Sequence, residues 1–161
     1  MLPHMSQLPW KFRNEAKTEL LVDGVEYRRG YGCPGKPADG ETNNCLIDSL
    51  RQCLGDVQCD RKAVRRDLQD EFGGDSGQDA RRVVTQSSYL DVEHHWQAIL
   101  RSLLRHNTSG WAGIFDPNDY CIVALLGNRP GHGIVLGNSR APRRLVVVNW
   151  GDVHFDPCLS L

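Results

Sequence analysis

Cys121-Ile122-Val123-Ala124-Leu125-Leu126 begins the part of the chain that reads as sheet. Gly133-Ile134-Val135-Leu136 and Leu145-Val146-Val147-Val148-Asn149-Trp150 follow it, with turn-forming clusters between them. Runs this short and β-branched, punctuated by Gly, Asn and Pro, predict strands, and Val153 to Asp156 predicts a fourth, short one. Upstream the period changes. Val92, Trp96, Ile99, Leu103 and Leu104 recur at helical spacing and predict a helix from about Asp91 to Arg105. Val64, Leu68 and Phe72 predict another over 61–72, with Asp60 as its N-cap. Ile47, Leu50 and Leu54 predict one from about Cys45 to Leu54. Helices first and an antiparallel sheet last give an α+β class.

Before the helices, Leu20-Leu21-Val22-Asp23-Gly24-Val25-Glu26-Tyr27 carries the Asp-Gly signal of a two-residue hairpin. Residues 1–19 are polar and unpatterned and read as a flexible leader. Gly30 to Gly40 reads as a loop, and Gly73-Gly74-Asp75-Ser76-Gly77 as a helix breaker. The expected organisation is therefore a leader over 1–19 and one domain over 20–161.

A chain of 161 residues is long enough to bury a core without staples. A formal charge of −1 supplies no field for nucleic acid or an anionic membrane, and the arginine doublets Arg28-Arg29, Arg65-Arg66, Arg81-Arg82 and Arg143-Arg144 read as solvated surface. No apolar run has the length of a membrane span and no signal peptide is evident. Six cysteines without a Cys-x-x-Cys pair point to reduced thiols rather than a disulfide framework or a zinc site. A monomer in the cytoplasm, without metal or cofactor, is expected.

One stretch carries chemistry: Glu41-Thr42-Asn43-Asn44-Cys45-Leu46-Ile47-Asp48-Ser49-Leu50. Asparagines tolerate left-handed backbone angles and make tight turns. A cysteine placed after such a turn opens a helix whose first N–H groups and dipole favour a thiolate. At the other end, His154-Phe155-Asp156 sets an imidazole and a carboxylate two residues apart, hence on one face of a strand. Asp156 would then orient His154 as general base for Cys45. His132, in Gly131-His132-Gly133, is a second possible base. Asn149 on the next strand run, or Asp152, would orient it in a Cys-His-Asn arrangement. Spacing does not separate the two.

The pattern resembles the ovarian-tumour (OTU) superfamily of papain-like cysteine proteases, whose signature Asp-Gly-Asn-Cys-Leu-Phe is matched by Thr42-Asn43-Asn44-Cys45-Leu46-Ile47. A basic helix like Val64-Arg65-Arg66-Asp67-Leu68, a Trp-containing segment like Asp91 to Leu104, and a closing apolar strand with His-Phe-Asp follow in family order. Thr42 and Asn43 depart from the aspartate and glycine, and no Trp-Gly-Gly element is present. The chain thus looks like a divergent member, of the kind found as bacterial effector or toxin domains and, if secreted, acting in a host cytosol. The resemblance implies a papain-like OTU fold, with helices followed by a small antiparallel sheet. It implies Cys45 as nucleophile, His154 as base, Asp156 as orienter, and Asn43 and Asn44 beside the oxyanion. It further implies ubiquitin or a ubiquitin-like protein as substrate partner, cut at an isopeptide bond. Asp39, Glu41, Asp48 and Asp152 would be the acids near the motifs that could meet an arginine-bearing tail.

Simpler readings stand beside these. Cys45 can be an ordinary helix cysteine, His154 can satisfy a carbonyl, His94 and His95 can be solvent or capping residues, and Asp48 can balance the helix dipole. Trp96 reads as core and Trp150 as the wall of a substrate cleft. Two other functions fit the same residues: a papain-like glutamine deamidase using Cys45, His132 and Asn149 or Asp152, and a non-catalytic ubiquitin-binding domain.

Overall fold

Asp23 and Gly24 both take left-handed angles, φ 53° and 81°, as the type I′ turn of a tight hairpin requires. In the computed structural model, which describes residues 5–55, 57–73, 83–108, 114–151 and 153–161, that hairpin is part of a much larger sheet. Its strands are Met5–Gln7 (β1), Trp10–Phe12 (β2), Glu19–Val22 (β3), Val25–Arg29 (β4), Tyr120–Leu126 (β5), His132–Gly137 (β6), Arg143–Trp150 (β7) and His154–Ser160 (β8). The helices are Cys45–Cys53 (α1), Arg61–Phe72 (α2) and Val92–Arg105 (α3).

The eight strands lie in the order β1-β6-β5-β7-β8-β4-β3-β2. All neighbours are antiparallel except β5 and β7, which run parallel with Leu126 opposite Asn149. β5 is central and buried along its length from Tyr120 to Leu125. The edge strands β1 and β2 are separated only by Leu8 and Pro9, so the two ends of the strand order are consecutive in the chain. This curls the sheet into a half-barrel. Trp10, Leu20, Val22 and Tyr27 from β2–β4 share one core with Cys121, Val123, Leu125, Val146, Val148 and Cys158 from β5, β7 and β8. Trp10 Nε1–H donates to the His132 carbonyl at 2.8 Å across the curl.

This corrects the expected fold. The papain-like OTU arrangement of helices followed by a small antiparallel sheet is not what forms; a curled mixed sheet dominates, and the described residues hold only three α-helices. The strands also precede the helices. Residues 5–12, read above as leader, form β1 and β2. β4 pairs with β8, which joins the early hairpin to the C-terminal strands. β7 cannot pair with β6, because β5 occupies the place between them.

By internal packing the chain comprises two compact units, 1–32 with 116–161, and 33–115. The first holds the whole sheet and the second the helices. In the helical unit α2 and α3 are tied by Asp67, which accepts from Ser102 Oγ at 2.6 Å and Arg105 Nη2 at 2.8 Å and lies 2.9 Å from His106 Nε2. Asp60 and Asp91 cap α2 and α3, each accepting a backbone N–H two residues on at 2.9 Å. Among the described residues no helix is long and apolar enough to cross a membrane.

Candidate functional site

Cys45 is the first residue of α1 and is buried. The turn before it uses Asn43 at φ 55°, where an asparagine is strained little. Asn43 Nδ2 donates to the Ser87 carbonyl at 2.5 Å, and the Asn44 N–H donates to the Pro34 carbonyl at 3.0 Å. Asn44 gives α1 no side-chain cap, because its Oδ1 accepts instead from Arg65 Nε at 3.1 Å. The amide groups of both asparagines thus hold the loop rather than face a substrate.

Arg65 is the hub of this arrangement. It is only 4 % exposed. Besides Asn44 it donates to the Thr42 carbonyl at 3.2 Å, the Asn43 carbonyl at 3.1 Å and the Ser88 carbonyl at 3.0 Å. Burial pulls the guanidinium down to about 10, against which charge on Cys45 works, so it is a cation at neutral pH. That attraction is mutual: a buried Arg65 favours negative charge on the Cys45 sulfur.

Asp48 does more than balance a dipole. Its buried carboxylate accepts from the Cys33 N–H at 2.9 Å, Gln52 Nε2 at 2.9 Å, Arg51 Nε at 3.1 Å and Arg61 Nη1 at 3.4 Å. Glu41 is likewise taken by Arg61 at 3.1 Å, whereas Asp39 is exposed. Of the acids suggested for a basic tail, Asp48 is therefore committed to fixing the loop at 33–44, and Asp152 lies outside the described residues.

In the sheet unit, His154 and Asp156 share a face of β8, with His154 Nε2 2.8 Å from Asp156 Oδ1. An ionised carboxylate only accepts, so Nε2 carries the hydrogen and the neutral ring keeps its lone pair on Nδ1. Asp156 is 2 % exposed. Burial pushes its carboxyl up, but the Gly32 N–H, the His154 ring and Arg29 outweigh this and hold it below its ordinary value. Gly32 N–H donates to Oδ1 at 2.9 Å, and Arg29 Nη1 to Oδ2 at 2.8 Å. Tyr31, 62 % exposed, sets its ring 5.7 Å from that of His154.

His132 opens β6 and Asn149 lies on β7, with β5 between them; they do not stand on adjacent strands. Asn149 is paired with Phe155, one step out of phase with Trp150–His154 and Val148–Asp156, and therefore occupies the opposite face from the His154–Asp156 pair. His95, expected near solvent, is fully buried against Phe72, with Nδ1 accepting the Asp91 N–H at 2.9 Å. None of the six cysteines is in a disulfide. The described residues contain no cluster of three or more His, Cys, Asp or Glu able to hold a metal ion.

Arg65 and Arg29 were hidden inside doublets that read as surface. The signal for Arg65 was its place three and seven residues before Leu68 and Phe72, on the apolar stripe of α2. For Arg29 it was alternation with buried Tyr27 on β4. Comparison with protein-family models, with curated proteins and with solved structures found no match to this chain.

Proposed function

We propose that this protein is a thiol hydrolase that cleaves isopeptide bonds of ubiquitin or a ubiquitin-like protein through a thioester on Cys45. The observation that carries the reading is the His154–Asp156 pair, 2.8 Å apart, with its carboxylate buried and fully bonded. Support also comes from Cys45 at the start of α1 with a buried cation in its loop, and from the two end motifs shared with ovarian-tumour hydrolases. In this chemistry His154 Nδ1 takes the Cys45 proton and the thiolate attacks the carbonyl carbon of the ubiquitin C-terminal glycine. The developing oxyanion is met by backbone N–H groups at the start of α1, where no side chain caps the helix. The protonated imidazole gives its proton to the leaving lysine amine. Water, activated by the same ring, then hydrolyses the thioester and regenerates the thiol. Asp156 stays ionised throughout and stabilises the imidazolium.

A ubiquitin probe with a C-terminal electrophile tests this directly. The expected result is an adduct on Cys45, absent from Cys45→Ala, together with release of unmodified monoubiquitin from chains. Folded protein that forms no adduct and cleaves neither chains nor a ubiquitin C-terminal amide removes the proposal. Uncut chains with a target raised by about one dalton per glutamine would identify a deamidase instead.

A further inference from the structure

Two groups around Asp156 have no part in the chemistry just described. Trp150 Nε1–H donates to Asp156 Oδ2 at 3.1 Å, the same oxygen that takes Arg29 Nη1 at 2.8 Å. The other oxygen, Oδ1, meets the Gly32 N–H at 2.9 Å and His154 Nε2 at 2.8 Å. Among the described residues, four donors therefore converge on one carboxylate, two to each oxygen.

Trp150 is itself clamped. Its ring stacks on Phe12 with centroids 6.0 Å apart and planes within 6°. A Cβ built on Gly127 would lie 2.5 Å from Trp150 Cε3 and 2.7 Å from Cζ3, so the indole lies against glycine backbone where no other residue leaves room. In the β7–β8 register Trp150 is opposite His154 and Val148 opposite Asp156. The indole, imidazole and carboxylate thus occupy one face of the sheet. Arg29 is anchored by Nε to the Lys17 carbonyl at 2.6 Å and sits 5.5 Å from the Trp150 centroid.

We infer that Trp150 and Arg29 are positioning residues that lock the Asp156 carboxylate through Oδ2, so that Oδ1 alone meets His154 Nε2–H and Nδ1 is kept as the basic nitrogen. The inference rests on the assignment of His154 as the base. A carboxylate held by one oxygen swings about its Cβ–Cγ bond; one held by a donor from each of two strands on Oδ2 cannot turn without breaking both bonds. The fixed oxygen fixes the imidazole tautomer, which is the orienting role a third member plays in such a triad. Among the described residues, the charged and titratable groups around the pair include Arg29 on β4, Tyr31 beside the His154 ring, and Lys17, whose Nζ lies 5.9 Å from the Trp150 ring centroid.

The test uses the full chain with ¹⁵N-labelled histidine and two variants. Trp150→Phe keeps a ring but removes the donor. Gly127→Ala keeps every donor and displaces the indole. Imidazole ¹⁵N shifts of His154 and the kcat and KM for a ubiquitin C-terminal fluorogenic substrate are measured, with melting curves to select folded protein. Wild type should show His154 as a single Nε2–H tautomer. Both variants should show mixed tautomers, with kcat lower by about tenfold, the usual scale for losing an outer orienting partner, and KM unchanged. If Trp150→Phe does not fold, Gly127→Ala decides alone. Folded variants that keep the wild-type ¹⁵N pattern, or the kcat of an active wild type, overturn the inference, as does a wild type without tautomer preference. An inactive wild type whose His154 tautomer responds to the variants would sink the hydrolase assignment and leave the positioning intact.

Discussion

Removing the Arg65 guanidinium while keeping its aliphatic stem, as in Arg65→Met, isolates what the hub contributes. The side chain is almost wholly buried and bonds Asn44 Oδ1 and the carbonyls of Thr42, Asn43 and Ser88. Asn44 is 3 % exposed, so its oxygen has no water to fall back on and costs about 1–3 kcal/mol when left unpaired. Thr42, Asn43 and Ser88 are all partly exposed, so water partly replaces the cation; these three bonds together are worth about 2 kcal/mol net. Burying methionine avoids desolvating a charge, which offsets some of the loss. The expected destabilisation is about 3 kcal/mol, a large fraction of the roughly 5–15 kcal/mol that holds a domain folded. Urea unfolding should show a lower midpoint with an unchanged slope. Alkylation of Cys45 at neutral pH should also slow, because the cation that favours its thiolate is gone. A loss below about 1 kcal/mol would mean that water takes over the loop carbonyls, and the hub would be dispensable.

His154→Ala should lower turnover of a ubiquitin C-terminal substrate by about 10²–10⁴, the usual contribution of a positioned base, whereas His132→Ala should leave most of it; the reverse ranking would move the site to the other histidine. Stability should fall in acid through Asp156. Its folded value lies below the ordinary one, so in that window the unfolded chain binds more protons and stability drops as pH falls. The loss should begin near the unfolded value of about 3.9 and be complete below the folded one; urea midpoints from pH 5 downward should show this acid limb, and Asp156→Asn should flatten it. Among the described residues Thr42 Oγ1 is buried without a hydrogen-bond partner, so the isosteric Thr42→Val should be neutral or stabilising by up to about 1 kcal/mol in thermal unfolding. A comparable destabilisation would reveal a bond to that hydroxyl.

The helices were legible because their determinants are local. Val92, Trp96, Ile99 and Leu103 fall on one stripe of α3, and Asp60 and Asp91 sit where N-caps are needed and accept the expected N–H groups. The hairpin at Asp23-Gly24 was legible for the same reason. The sheet was not, because its order depends on pairings between distant segments. No local pattern shows that β4 joins β8, or that β6 takes the outer side of β5 and leaves its inner side to β7. β1 and β2 are three residues each, too short to show alternation. At the candidate site, the shared face of His154 and Asp156 followed from a two-residue spacing. The support around them did not, since Arg29, Gly32 and Trp150 reach Asp156 through tertiary folding.

Residues 42–44 acquire a physical reading from the loop they form. Asn43 stands at φ 55°, an angle that glycine adopts without strain and asparagine tolerates best among side-chain-bearing residues. The amide then ties the loop to the Ser87 carbonyl, which a glycine could not do. Among the described residues the Thr42 hydroxyl has no hydrogen-bond partner, while its backbone carbonyl serves Arg65. A carboxylate at that position would stand in a loop already organised by a buried cation; threonine leaves the cation to the backbone carbonyls and Asn44. What this loop demands at 42–44 is therefore a carbonyl path around Arg65 and one left-handed residue. Thr-Asn-Asn meets both demands and leads into Cys45 at the start of α1.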